Sequence, residues 1–233
     1  MIPGGWTVGL LLMLGLLFAA LRWMNSGHAK YGPDPDRGGS GYSPADLRPL
    51  EPRPLDGPSD ARERWLLGLA APFVELHGLH HGAWALAPPG PDAAWERRLG
   101  EVVDAAGARG HGGWRALLDR ARTEYDAAAS TGGLPPDPAG LAWAAARLAF
   151  VYRLGVAAGH LEEEQARQGT QVPASGVVRV FGDWLAFGDA FTSGVEGFGT
   201  MQDRMRLKAY TRALYGPGGP WEEPAWPAAP GGI

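Results

Sequence analysis

The sequence predicts an all-α fold: an irregular helical bundle around one central buried helix, with an N-terminal transmembrane helix ahead of it. Three observations predict it. Residues 137–159, DPAGLAWAAARLAFVYRLGVAAG, are rich in Ala and Leu and interrupted only by Arg147 and Arg153, so a helix there is apolar almost all round and belongs at the centre of a bundle. Elsewhere apolar residues recur at steps of three and four. No β-branched alternation competes, since the nearest, 177–181, is short.

Residues 4–24, GGWTVGLLLMLGLLFAALRWM, carry no charge between Val8 and Leu21, an apolar length of roughly one bilayer core. Trp6 and Trp23 flank the run as an aromatic belt would. A cleaved signal peptide would need a basic start, but no Lys or Arg precedes the run, and Gly27 and Ala29 make a poor cleavage site. The expectation is an uncleaved single-pass anchor, 1–24, contacting the lipid bilayer through residues 4–24. Arg22, Lys30 and Arg37 follow it, and the positive-inside rule then places the rest of the chain in the cytoplasm.

Residues 25–59 hold seven prolines and six glycines with few large apolar side chains. Such a segment cannot bury enough surface to fold and reads as a linker. The helical domain is expected over 60–227, leaving 228–233 as a tail. Asp60 with Glu63 resembles a capping box ahead of Trp65, Leu66, Leu69, Phe73 and Leu76, with Pro72 kinking that helix. A second helix is expected over 92–106 and a third over 113–129, followed by a Gly/Pro connection. The central helix starts on the Asp137 cap with Pro138 at its first position and stops at Gly159.

Beyond it the sequence predicts a short acidic segment over 160–168, a turn around Pro173 and one long helix over 177–198. Val177, Phe181, Trp184, Gly188, Phe191, Val195 and Phe198 form its stripe, and Gly188 would admit a close neighbour. A final helix is expected over 202–215, with Trp221 and Trp226 packing back on the bundle.

The net charge of −4 points to no nucleic-acid partner, and the absence of cysteine excludes disulfides and thiolate chemistry. Lysine occurs only at 30 and 208 while Ala, Gly, Pro and Arg abound, a codon bias that points to a GC-rich bacterial genome.

AWAAARLAFVYRLGVAAGHLEEEQA (142–166), WLAFGDAFTSG (184–194) and GPWEEPAW (219–226) together resemble the signature of a bacterial family, domain of unknown function 1266. The resemblance covers roughly residues 90–227 and is stronger in its second half. In the family a Trp-bearing Ala/Arg helix runs into a Gly-aromatic-Leu-acidic segment, with His160 as the aromatic here. Ala144 and Ala145 stand where the family has an Asp. The resemblance implies the fold and the domain limits; the family carries no established reaction.

Several constellations are candidates for chemistry. A buried guanidinium needs a partner, and Asp183, Asp189, Glu196 and Glu162 to Glu164 are available to Arg147 and Arg153. Arg147, Arg153, Asp183, Trp184, Asp189 and Glu196 are therefore candidates for a polar site taking an anion or a partner side chain. Structural ion pairs, or arginines reaching the surface, would account for the same residues. Trp184, Phe187 or Trp221 would line a groove. His77, His80 and His81, beside Glu75, are weak metal candidates, because two imidazoles at helical spacing can share an ion; Gly78 and Gly82 break the helix, and HExxH is absent. Arg204, Lys208 and Arg212, with Arg206 nearby, make a basic stripe that would suit anionic headgroups or an ordinary solvated face. Thr192 and Ser193 lie in no nucleophile motif.

The function expected from these features is a membrane-tethered helical interaction or scaffold module, non-enzymatic, with an unidentified protein partner and no cofactor. The alternatives are a metal-dependent hydrolase built on His77, His80 and His81, or a membrane-associated effector or immunity component. The address expected is a bacterial inner membrane.

Overall fold

The computed structural model describes residues 60–130, 136–195, 201–216, 219–222, 226 and 227. The expected anchor, the linker, Glu196 and Phe198 lie outside these residues. Among the described residues the protein is all-helical, with eight α-helices, and no helix there is long and apolar enough to cross a membrane.

The first segment is two helices, α1 (Ala61–Leu69) and α2 (Ala71–Leu76), instead of one kinked helix. Pro72 lies in the first turn of α2, where its missing amide hydrogen leaves nothing unpaired, so the chain restarts at Ala70. Asp60 caps α1 by accepting from Arg62 N at 2.9 Å. Glu63 does not complete a capping box. It accepts from Trp84 Nε1 at 2.6 Å and from Arg167 Nη2 at 2.8 Å, joining α1 to two later segments. Next come α3 (Ala93–Ala105), capped by Asp92, and α4 (Gly110–Ala129).

The central helix α5 (Pro138–Ala157) forms as its sequence predicts, with Asp137 accepting from Ala139 N and Gly140 N and Gly159 at φ +71°. It packs against α1, α2, α4 and two further helices, α6 (Glu163–Val180) and α7 (Trp184–Gly194). From Leu141 to Gly155 nearly every residue is buried.

The structure corrects the expected turn at Pro173, which lies inside α6. Proline removes one helical hydrogen bond, at a cost of roughly 3 kcal/mol, and packing on two sides offsets it. Ala166, Thr170, Pro173, Ala174 and Val177 are buried, and two side-chain-free positions admit rings from neighbouring helices. A Cβ on Gly169 would stand 2.3 Å from the Tyr152 ring, and one on Gly176 would stand 2.1 Å from Tyr125 Oη. The expected single helix over 177–198 is likewise broken. Phe181 is extended, and Asp183, at φ −162° and ψ 174°, starts α7 by accepting from Ala186 N at 2.7 Å.

The last helix, α8 (Met201–Ala213), packs against α2 and α7. Trp221 and Trp226 do pack back. Trp184 stacks on Trp221 at 5.2 Å, Trp226 meets Trp65 and Trp184 edge-on, and Trp221 Nε1 donates to Gly68 O at 2.8 Å. The close approach at Gly188 comes from Tyr215 and Trp221: an added Cβ would lie 1.9 Å from Tyr215 Oη and 2.9 Å from the Trp221 ring. Gly188→Ala would gain about 1 kcal/mol of helix propensity against an overpacking cost of roughly 1–3 kcal/mol. Because the displaced groups are rings pinned by hydrogen bonds, the expected result is a net loss of about 1–2 kcal/mol, read as a melting temperature lowered by about 3–6 °C. An unchanged or raised melting temperature would show that the rings are free to move.

Candidate functional site

Arg153 is the largest fully buried side chain, 0 % exposed. Burial pushes its pKa down to about 9, still well above neutral, so at pH 7 the core holds a cation. Its partners are not the expected carboxylates. Nη1 donates to Leu67 O at 3.2 Å, and Nη2 to His80 O, His81 O and Ala83 O at 3.0, 2.9 and 2.6 Å. Leu67 lies in the last turn of α1, where carbonyls lack helical partners and the helix dipole favours positive charge. The other three belong to the loop over 77–92. Arg153 therefore fastens that loop to α1 from beneath.

From α3, Trp95 Nε1 donates to Leu86 O at 2.9 Å and Arg98 to Gly78 O at 2.8 Å, and within the loop His80 N donates to Leu86 O at 3.0 Å. Leu86 has φ +57° and is completely buried. A non-glycine residue there costs roughly 1–2 kcal/mol, which the two bonds to its carbonyl and the burial of its side chain offset.

The three loop histidines go to three different places. His77 lies face to face with Phe150 of α5, 5.4 Å between centroids, and burial lowers its pKa to about 4. His80 Nδ1 accepts from Gly82 N at 3.2 Å. His81 Nε2 lies 2.7 Å from Glu75 Oε2, both side chains almost buried. Among the described residues no group of three or more His, Asp or Glu is placed to hold a metal ion.

Arg147 pairs with Glu124 of α4, not with an acid of α7. The two side chains are 21 % and 34 % exposed, so water screens the pair. Its coupling in a double-mutant cycle of Arg147→Ala and Glu124→Ala is expected at or below about 1 kcal/mol; a value several-fold larger would mean the pair is effectively dry. Asp183 serves as the α7 cap, and Asp189 is exposed, with its main-chain carbonyl accepting from Thr192 and Ser193. Trp184 is buried in the tryptophan cluster, against Trp65, Trp221 and Trp226. Among the described residues, Arg153, Arg147 and Asp183 thus serve three different contacts.

Two groupings went unforeseen. Glu63 with Trp84 and Arg167 links helices far apart in sequence, and nothing local marks it. His111, Trp114 and His160 form a ring cluster with centroids 5.7–6.0 Å apart; the Gly159-His160 pair was the available signal.

A family model described as protein of unknown function (DUF1266) matches residues 86–226. The chain belongs to this family. No curated protein and no solved structure matches it. The DUF1266 span contains Arg153, but all four carbonyls that Arg153 holds, at 67, 80, 81 and 83, lie upstream of it. It contains Trp184, Trp221 and Trp226, whereas Trp65 and Gly68 lie upstream. The folded unit here is larger than the DUF1266 match.

Proposed function

We propose that this DUF1266 protein is a membrane-tethered helical interaction module without catalytic activity of its own. The observation that carries the reading is how the polar groups of the central helix are used: Arg153 on main-chain carbonyls and Arg147 on Glu124. The charge-free apolar stretch over 8–21, its flanking tryptophans and the Pro/Gly-rich segment over 25–59 support an anchor and a flexible tether. A tether raises the effective concentration of the domain for partners at the same membrane. Arg22, Lys30 and Arg37 support a cytoplasmic placement at a bacterial inner membrane.

The test is a pair of C-terminal fusions of the full chain, one to a fluorescent reporter active in the cytoplasm and one to a phosphatase active outside it, each followed by an alkaline wash of the membranes. Fluorescence in a wash-resistant membrane fraction, without phosphatase activity, is the expected result. Phosphatase activity would overturn the placement, and release by the wash would overturn the tether.

A further inference from the structure

We propose that His111 and His160 form a two-imidazole site for a divalent transition-metal ion, copper(II) or zinc(II), where the start of α4 meets the end of α5. His111 lies in the first turn of α4, and His160 follows Gly159, whose φ of +71° turns the chain away from α5. His160 N donates to Gly155 O at 2.7 Å, which fixes the backbone beneath its ring. Trp114 lies flush on α5 because position 155 is glycine: a Cβ there would stand 2.6 Å from Trp114 Nε1. That indole brings the histidines together. His111 is 5.7 Å and His160 5.8 Å from the Trp114 ring, centroid to centroid, and the two imidazoles are 6.0 Å apart.

Two features point to a ligand. The first is spacing: nitrogens about 2.0–2.1 Å from one ion place their imidazole centroids roughly 5–6 Å apart. His111 is exposed, so its ring is free to turn toward a shared ion. The second is Trp114, 3 % exposed, whose Nε1–H has no acceptor among the described residues. Buried donors are nearly always paired, and a water oxygen carried by the ion would be an acceptor beside it. The other described histidines are engaged elsewhere, His77 with Phe150, His80 with Gly82 and His81 with Glu75. Imidazole nitrogen suits copper and zinc, with copper(II) the tighter. No third His, Asp or Glu joins the pair among the described residues, so water fills the remaining positions and the ion is held reversibly. Nothing in this site depends on the tether.

The test uses the full chain in detergent, stripped with a chelator and titrated with copper(II) in a non-coordinating buffer. Binding is followed by tryptophan fluorescence and by electron paramagnetic resonance. One equivalent is expected to bind, to quench part of the fluorescence and to give a spectrum with two nitrogen donors, and zinc(II) is expected to compete. His111→Gln and His160→Phe should each weaken binding about tenfold or more. The double variant should lose little more than either, because removing one arm of a chelate ends it. His28→Gln is the control and should bind as the parent does. His160→Phe keeps a ring against Trp114 and His111→Gln changes an exposed side chain, so both should retain the parent's circular dichroism spectrum.

Absence of saturable binding, a spectrum with one nitrogen donor, or an affinity unchanged in His111→Gln overturns the proposal. So does binding lost only in His80→Gln, which would put the ion on the loop over 77–92. If His160→Phe fails to fold, His111→Gln decides alone.

Discussion

Arg153→Met should destabilise the domain by about 3–5 kcal/mol, a large share of the roughly 5–15 kcal/mol that holds a domain of this kind together. Methionine fills much of the same volume, so the loss is not mainly a cavity. It arises because the partners are main-chain carbonyls, which no compensating substitution can remove. Leu67 O also accepts from Ala70 N at 3.3 Å and Ala83 O from Leu86 N at 3.1 Å, so those two carbonyls keep a donor when the guanidinium is removed. Each buried carbonyl left without a donor costs about 1–3 kcal/mol. Arg153→Lys should recover only part of the loss, since one ammonium cannot reproduce a planar fork serving acceptors on α1 and on the loop. Urea unfolding followed by circular dichroism checks both variants. A methionine variant within about 1 kcal/mol of the parent would show that the loop is held without the clamp.

The second large effect is acid sensitivity at His77. Its folded pKa, about 4, lies below the ordinary value of 6.5 because burial disfavours the charged ring. The unfolded chain therefore binds more protons between those two values, and stability rises with pH across the window. The contribution is fully present above pH 6.5 and is lost as pH falls toward 4, to a total of roughly 3 kcal/mol. His77→Phe keeps an aromatic face against Phe150 and removes the titration. Unfolding midpoints of the parent and the variant, measured from pH 7 to 4, should converge or cross as the parent falls faster. Parallel curves would mean that His77 accepts its proton in the folded state. The carboxylates and other histidines are common to both proteins and cancel in the difference.

The central helix was legible because its signals are local: Asp137 and Pro138 open it, Gly159 closes it, and the residues between are apolar on every side. The stretch over 163–194 was not. Pro173 is a local signal to stop, and it is overruled by Tyr152 and Tyr125 filling the places that Gly169 and Gly176 leave open. At Asp183 the opposite happened. The spacing of Val177, Phe181, Trp184 and Gly188 stays in helical phase across a real break, so periodicity hid the cap.

Arg153 was recognisable as a group in need of partners, but carbonyl acceptors have no letter in the sequence, and any position might have supplied them. Arg147 with Glu124, and Glu63 with Arg167, become pairs only after helices distant along the chain lie side by side. The histidines were misleading for a related reason: spacing in sequence suggested a shared face, whereas the loop sends each ring to a different neighbour.

The tryptophan cluster sets an order on biosynthesis. Gly68 and Trp221, joined by one hydrogen bond, stand 153 positions apart. Trp65 waits with them for Trp226. While the ribosome is still making the middle of the protein, α4, α5 and α6 can already pair with near neighbours, the contacts that form soonest. α1 cannot complete the cover of its Trp65 indole until Trp226 has been made. Until then the nascent chain carries an apolar edge at α1, and a truncation ahead of Trp221 would leave that edge open.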